Sequence, residues 1–227
     1  MPRTARIVVP DIPHHITQRG NNRQNVFFTD DDRWYYLEIL SASAQKFALE
    51  ILGYCLMTNH VHIIAVPKRE DSLAKAVART HLMYTQFINR FHNRSGHLWQ
   101  NRFYSCPLSD RHLFKALSYI ERNPVRAKLL RFAWQYPWSS AVAHIGNDDP
   151  AGIIDPARWQ DLSGSMDWRD ILSRSEDKNE LRQMRTCFST GRPLGGDSFI
   201  SKLEHAVGRR LRPLPVGRPI GTGASER

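Results

Sequence analysis

Long apolar runs are missing from this 227-residue chain. No stretch approaches the ~18 consecutive apolar residues of a membrane-spanning helix, which sets aside a bilayer-embedded protein. The opening MPRTARIVVPDIPHH carries basic residues, but its apolar stretch is too short and too proline-broken for a signal peptide. Cysteine is scarce: Cys55, Cys106 and Cys187 are scattered, odd in number and without zinc spacing. They fit reduced thiols, so a cytoplasmic protein is expected. Acidic residues are also short, 22 against 32 Lys and Arg, giving a formal net charge of +10. That balance suits a polyanionic partner, most often nucleic acid, although ribosome-associated and simply basic proteins share it. The 41% hydrophobic content is ample for a core, and the length suits one good-sized domain with an appendage or two small domains.

Within this frame the segment LMTNHVHIIAVP (56–67) stands out. Val61–Pro67 is short, β-branched and closed by proline, so it reads as a buried strand. Residues two apart on a strand share a face, so His60 and His62 leave one side of a sheet while Val61, Ile63 and Ala65 pack on the other. Two neutral imidazoles so spaced can share a divalent metal, and they can equally be a hydrogen-bonded pair at a strand end. Histidine-triad nucleotide hydrolases need a third histidine where this chain has Ile64, and amidohydrolases need a large barrel. A remaining chemistry brings a nucleophile to the metal from elsewhere. In SYIERNPVRA, Tyr119 and Asn123 are four apart and would share a helix face, although packing for the one and a helix stop for the other are ordinary roles.

Local pattern orders the elements. His14–Gln18 reads as a strand running into the polar turn Arg19–Gln24. Thr29 or Asp30 caps a helix, and Leu49–Met57 and the His60–Pro67 strand make a hairpin through Asn59. Ser72–Asn93 is a second long helix, Tyr104–Leu108 a strand, and Ser109 or Asp110 caps a third helix that stops at Pro124. The order β-α-β-β-α-β plus a helix is an α+β, ferredoxin-like split β-α-β arrangement, an antiparallel sheet with helices on one face. Three segments are expected: a catalytic domain over 9–126, a turn-rich connection over 127–175, and a basic helical extension over 176–227. Asp177–Phe188 and Asp197–Val207 read as short helices in that extension, followed by a Pro- and Gly-rich tail, extended or disordered. GRPLG and GRPIG resemble minor-groove arms but lack the flanking basic residue.

The blocks HITQRGNNRQNVFF (15–28), YCLMTNHVHII (54–64), LWQNRF (98–103), YIERNPVRA (119–127) and YPWSS (136–140) resemble the His-hydrophobe-His single-strand DNA transposases of the insertion-sequence kind. They are most similar to the REP-associated tyrosine transposases, chromosomal relatives linked to short palindromic repeats in bacteria. The resemblance makes His60 and His62 metal ligands and Tyr119 the nucleophile. Asn123 stands where related insertion-sequence enzymes carry a Gln that completes the metal site, one methylene longer.

The implied function is a metal-dependent DNA strand transferase, with Mg²⁺ or Mn²⁺, that cuts and rejoins single-stranded DNA or repeat hairpins through a 5′-phosphotyrosine. The alternative is a domesticated DNA-binding protein without cleavage. Arg19, Arg23, Trp99 and Arg102 mix cations with an aromatic, which suits phosphate pairing and base stacking, and Arg126 joins them by position. The extension is expected either to bind DNA through Arg209, Arg210, Arg212 and Arg218 or to pack over the active site. A monomer or a homodimer is expected, since the insertion-sequence relatives exchange a tyrosine helix and the REP-associated group resembles monomers.

Overall fold

The computed structural model describes residues 6–213. Four antiparallel strands form one sheet in the order β2-β3-β1-β4: β1 (His14–Arg19), β2 (Leu49–Met57), β3 (His60–Pro67) and β4 (Tyr104–Pro107). Two long helices, α1 (Asp30–Lys46) and α2 (Ser72–Phe91), connect them, and α3 (Asp110–Glu121) follows the last strand. This is the expected α+β arrangement, with element ends close to those the residue pattern suggests.

Local chemistry accounts for the start of α1. Thr29 Oγ1 accepts the Asp32 amide at 3.2 Å, and Asp32 Oδ2 accepts the Thr29 amide at 2.9 Å, a reciprocal cap that satisfies two otherwise orphaned donors. Three aspartates in the first turn also favour the positive end of the helix dipole.

Strand parity divides the sheet into two faces. Ile16, Val61 and Ile63 point to one face and are buried. The other face carries His15, Thr17 and Arg19 from β1 beside His60 and His62 from β3, because cross-strand partners share a side. Helix α3 and α8 (Lys178–Thr190) cover this second face, as contacts of Tyr119 with His62 and of Phe188 with His15 show. Helices α1 and α2, which pack on each other and on β2 and β3, remain to cover the apolar face. The ferredoxin-like pair of helices thus keeps to one face, and the later helices fill the other. Helix α3 lies so close to β2 that a Cβ at Gly53 would sit 2.5 Å from Leu117 Cδ2, so a larger residue there would force the Leu117 side chain to move.

Between residues 127 and 175 the turn-rich texture hides short helices. They are α5 (Ala141–His144), α6 (Pro156–Ser163) and α7 (Trp168–Ser173), following α4 (Asn123–Arg126). They are joined to α3 by a buried carboxylate. Glu121 accepts from Ser140 Oγ at 2.5 Å and Trp168 Nε1 at 2.8 Å. His144 Nδ1 stands 2.6 Å from the same carboxylate, close as an ion pair though not aligned as a hydrogen bond. Helix α9 (Asp197–Val207) follows α8.

The tail beyond Gly208 was expected to lack the means of packing. Instead Leu211 is buried with Ile7 and Leu203, and Glu204 accepts the backbone amides of Leu211 and Arg212 at 2.7 and 3.1 Å. The remainder of the expected extended tail, from residue 214, lies outside the described residues, as do Arg218 and GRPIG.

Removing the Glu121 carboxylate strands two buried donors, Ser140 Oγ and Trp168 Nε1. Glu121→Ala should therefore cost about 3–5 kcal/mol of unfolding free energy, measured by urea denaturation. A loss well under 1 kcal/mol would show that the buried cluster does not tie α3 down.

Candidate active site

His60 and His62 leave β3 together, with ring centroids 5.1 Å apart. Each has one ring nitrogen fixed by a neighbour. Asn59 Oδ1 lies 2.6 Å from His60 Nδ1, while the Asn59 amide group donates to the Arg23 carbonyl, so His60 Nδ1–H is the donor. This leaves the His60 Nε2 lone pair available. His62 Nδ1 shares a 2.7 Å hydrogen bond with His15 Nε2, and when His62 donates, its Nε2 is likewise the ligand atom. Such outer partners orient metal-binding imidazoles. The two histidines are not bonded to each other; each is hydrogen-bonded to a different neighbour.

Both rings are neutral at ordinary pH. Burial, then the Arg19 charge, lowers His60 to about 4. Burial also holds His62 well below its usual value, with further lowering from the neighbouring His15, His60, Arg126 and Arg19. An unprotonated imidazole is the form that binds a metal.

Helix α3 carries Tyr119 to this face. Its ring is edge-on to His62 at 6.2 Å between centroids. Thr17, Arg19, His62, Tyr119 and Arg185 line one cavity of about 440 Å³. The nucleophile candidate and the inner histidine therefore face the same space, bordered by cations.

Asn123 is placed differently from expectation. Helix α3 ends at Glu121, and Asn123 opens α4 beyond a break at Arg122. Its Oδ1 accepts from Arg126 at 2.6 Å, and its Nδ2 is buried without a partner. An oxygen aimed at a guanidinium is poorly suited to a metal cation, so the arrangement offers two imidazoles rather than the expected set of three. Among the described residues no group of three or more His, Cys, Asp or Glu converges.

The other expected DNA contacts divide. Arg19 is exposed and borders the cavity, and Arg102 is exposed beside β4. Arg23 is exposed in the β1–α1 turn with a left-handed φ of 60°, outside the cavity lining. Trp99 is half-buried, its ring packed 4.5 Å from His81 and near Tyr36 and Tyr84 at the edge of the core. Arg126 pairs with Glu176 at 2.6 Å, bonds the Tyr119 carbonyl, and lies 4.2 Å over the Tyr119 ring. Its guanidinium braces the tyrosine and has little left for phosphate. Arg209, Arg210 and Arg212 line a separate groove, and Arg212 is held by Glu204 and Asp197.

Two residues escaped the sequence reading. His15 fixes His62, and Phe188 of α8 stacks on His15 at 3.7 Å and meets Tyr119 at 5.2 Å. The parity of HITQR could have flagged His15 once β1 was paired with β3. Nothing local marks Phe188 apart from its place on an amphipathic helix.

Residues 8–123, which hold all four strands and the tyrosine helix, match the family model described as Transposase IS200 like. The protein is therefore a transposase by class. The chain belongs to the IS200-like family, whose membership implies single-strand DNA transposition. A solved structure of a REP-associated tyrosine transposase bound to a REP hairpin aligns with TM-score 0.56 and 15% identity, over 78% of this chain and 99% of that one. This likeness shows the fold. A proposed transposase from Deinococcus radiodurans R1 aligns over 53% of this chain and 97% of its own, at 19% identity and TM-score 0.38. No curated protein matches the chain. Among the described residues, no helix is long and apolar enough to cross a membrane.

Phe188 fills the space between His15 and Tyr119, so truncating it leaves a cavity. Phe188→Ala should lower stability by about 3–5 kcal/mol in urea unfolding, with Phe188→Leu costing much less. Equal stability of the alanine variant would place α8 off the sheet in solution.

Proposed function

We propose that this protein cleaves and rejoins single-stranded DNA, using Tyr119 as nucleophile beside a divalent metal held by His60 and His62. The observation that carries this reading is the approach of the Tyr119 ring to His62 across a cavity bordered by arginines. Two neutral imidazoles, each with its outer nitrogen engaged, fit a metal that keeps other positions open for phosphate oxygens and water. Mixed nitrogen and oxygen ligation suits Mn²⁺ better than Mg²⁺, and Asn123 could join the set only by leaving Arg126. When bound, such an ion supplies Lewis-acid polarisation of a non-bridging phosphate oxygen.

The chain's own residues do the rest. Tyr119 Oη forms a bond to phosphorus as the bond from phosphorus to the 3′ oxygen breaks. The phenol proton is balanced by the proton gained on the departing 3′-OH. The product is a 5′-phosphotyrosine, and because the ester bond is conserved, another 3′-OH can reverse the step without ATP. Arg126, over the ring and bonded to the Tyr119 carbonyl, holds the nucleophile in place. Arg19 and Arg185 border the cavity where the scissile phosphate would sit. A hairpin of the kind bound by the solved relative is the natural substrate class to try first.

The test is incubation of single-stranded repeat DNA with Mn²⁺ or Mg²⁺, followed by a search for a covalent adduct on a denaturing gel. Tyr119→Phe should abolish the adduct and leave DNA affinity nearly intact, because only the hydroxyl is lost. Robust adduct from this variant would mean the nucleophile is misassigned.

The metal reading has its own check. His60→Ala and His62→Ala should each eliminate metal-dependent cleavage. If both variants cleave normally, the histidines are structural.

A further inference from the structure

Outside the cavity that holds Tyr119, the described residues form a groove of about 590 Å³ along the exposed edge of the sheet. One wall is Arg102–Ser105 at the start of β4, and the other walls are segments near the two chain ends, Arg6–Ile7 and Arg209–Arg212. Six arginines line it and no carboxylate does. Arg212 is neutralised by Glu204 and Asp197, but Arg6, Arg102 and Arg192 have no carboxylate at ion-pair distance among the described residues. Arg6 lies 3.6 Å over the Phe103 ring and bonds the Phe103 carbonyl at 3.1 Å, so it is fixed rather than waving in solvent. Burial, and then repulsion from Arg102, lowers its guanidinium to about 10. Holding like charges together costs free energy that an anion would return.

Tyr104 connects this groove to the active-site cavity, because it lines both. Thr17 on β1 is paired with His62 on one side and Tyr104 on the other, so all three side chains share a face. Two strand spacings separate Tyr104 from His62, or ~10 Å. Yet Tyr104 is 46% exposed where the rest of β4 is buried. An exposed ring beside a row of guanidiniums is the combination that binds unpaired bases and their phosphates. A duplex hides its base faces, so only an unpaired strand can offer one to Tyr104.

We propose that the groove of Arg6, Arg102 and Arg192 is the path of the single strand flanking the cleaved phosphate, with Tyr104 stacking the base at its mouth. The inference rests on the DNA-cleavage reading above and adds the route by which unpaired DNA reaches the site. It also assigns a substrate role to an N-terminal arginine and to a tyrosine that is not the nucleophile. Arg192 extends the groove from the turn after α8.

The test uses fluorescence anisotropy of full-length protein with two probes, an oligothymidine single strand and a blunt hairpin with no single-stranded flank, at several salt concentrations. Arg6→Gln with Arg192→Gln should weaken the single strand and flatten its salt slope by ~1.4, from ~0.7 per phosphate contact. Tyr104→Ala should weaken it by roughly fivefold or more, and Tyr104→Trp should retain affinity because it keeps a stacking face. Blunt-hairpin affinity should stay unchanged in all three variants. Circular dichroism on each variant separates lost binding from lost folding, and Arg192→Gln alone, at an exposed position, provides the variant least able to disturb the fold. Unchanged single-strand affinity in the folded variants would overturn the proposal, as would losses confined to the hairpin. Wild-type protein that binds the strand but forms no covalent adduct would sink the cleavage reading and leave the groove standing. Wild-type protein that binds neither probe would sink both.

Discussion

The pairing of β1 with β3 sets Thr17 opposite His62 and Arg19 opposite His60, and the rest of the site is arranged around that register. A slip of β3 by one residue would turn the imidazoles into the apolar face and bring Val61 and Ile63 out of it. Both are buried almost completely, as is their neighbour Ile16 on β1, so the hydrophobic effect opposes the slip at more than one position. The chemistry of one face is therefore held in place by the packing of the other. Metal-ligand geometry needs this rigidity, because the strand sets His60 and His62 side by side while Asn59 and His15 orient their rings.

Much of this was legible because it is local. A β-branched run with histidines two apart fixes a strand, its parity and a shared direction for His60 and His62. Capping residues and apolar spacing locate α1, α2 and α3, and the near-complete match of Leu49–Met57 follows from the same pattern. What could not be read depends on distant partners. Trp99 has the same composition around it whether it faces DNA or core, and only the proximity of His81 and Tyr84 decides. Arg126 is a phosphate candidate in sequence and a brace in space, because Glu176 is fifty residues away. Asn123 sits at the right spacing from Tyr119 for a continuous helix, but the break at Arg122 re-aims its amide. The blocks that carry the family resemblance include these residues without saying which are chemical and which structural. YPWSS is an instance: Ser140 serves the buried Glu121, far from any substrate role.

Net charge proved a coarse guide for a related reason. The surplus of Lys and Arg is not spread evenly in function. Arg158 and Lys68 share Glu50, Arg126 takes Glu176, and Arg174 takes Asp170, so part of the basic content maintains the fold or solvates its surface. Arg6, Arg102 and Arg192, with no carboxylate at ion-pair distance among the described residues, stand together along one groove, and Arg19 and Arg185 border the adjoining cavity. Exposed ion pairs contribute little to stability, whereas clustered like charges cost something in the free protein. The second group is therefore the more informative about a polyanionic partner.

The expected division into a catalytic domain over 9–126, a connection over 127–175 and an extension from 176 follows changes in sequence texture, but the packing crosses both boundaries. Glu121 reaches Trp168, Arg126 reaches Glu176, and Phe188 lies against His15 and Tyr119. Leu194 adds a bridge to Leu108 beside β4, and the principal core runs unbroken from Ile16 to Leu194. The extension was open to two readings, a DNA-binding appendage or a cover for the active site. These contacts show that α8 forms a wall of the cavity, while the segment after α9 walls the groove beside it. The two readings are compatible in space, because Phe188 lies on the catalytic face while Arg209 and Arg210 lie along the groove. A residue that walls the cavity also limits what enters it. In the proposed reaction, the helix that meets Tyr119 through Phe188 would thereby set the clearance for the phosphate.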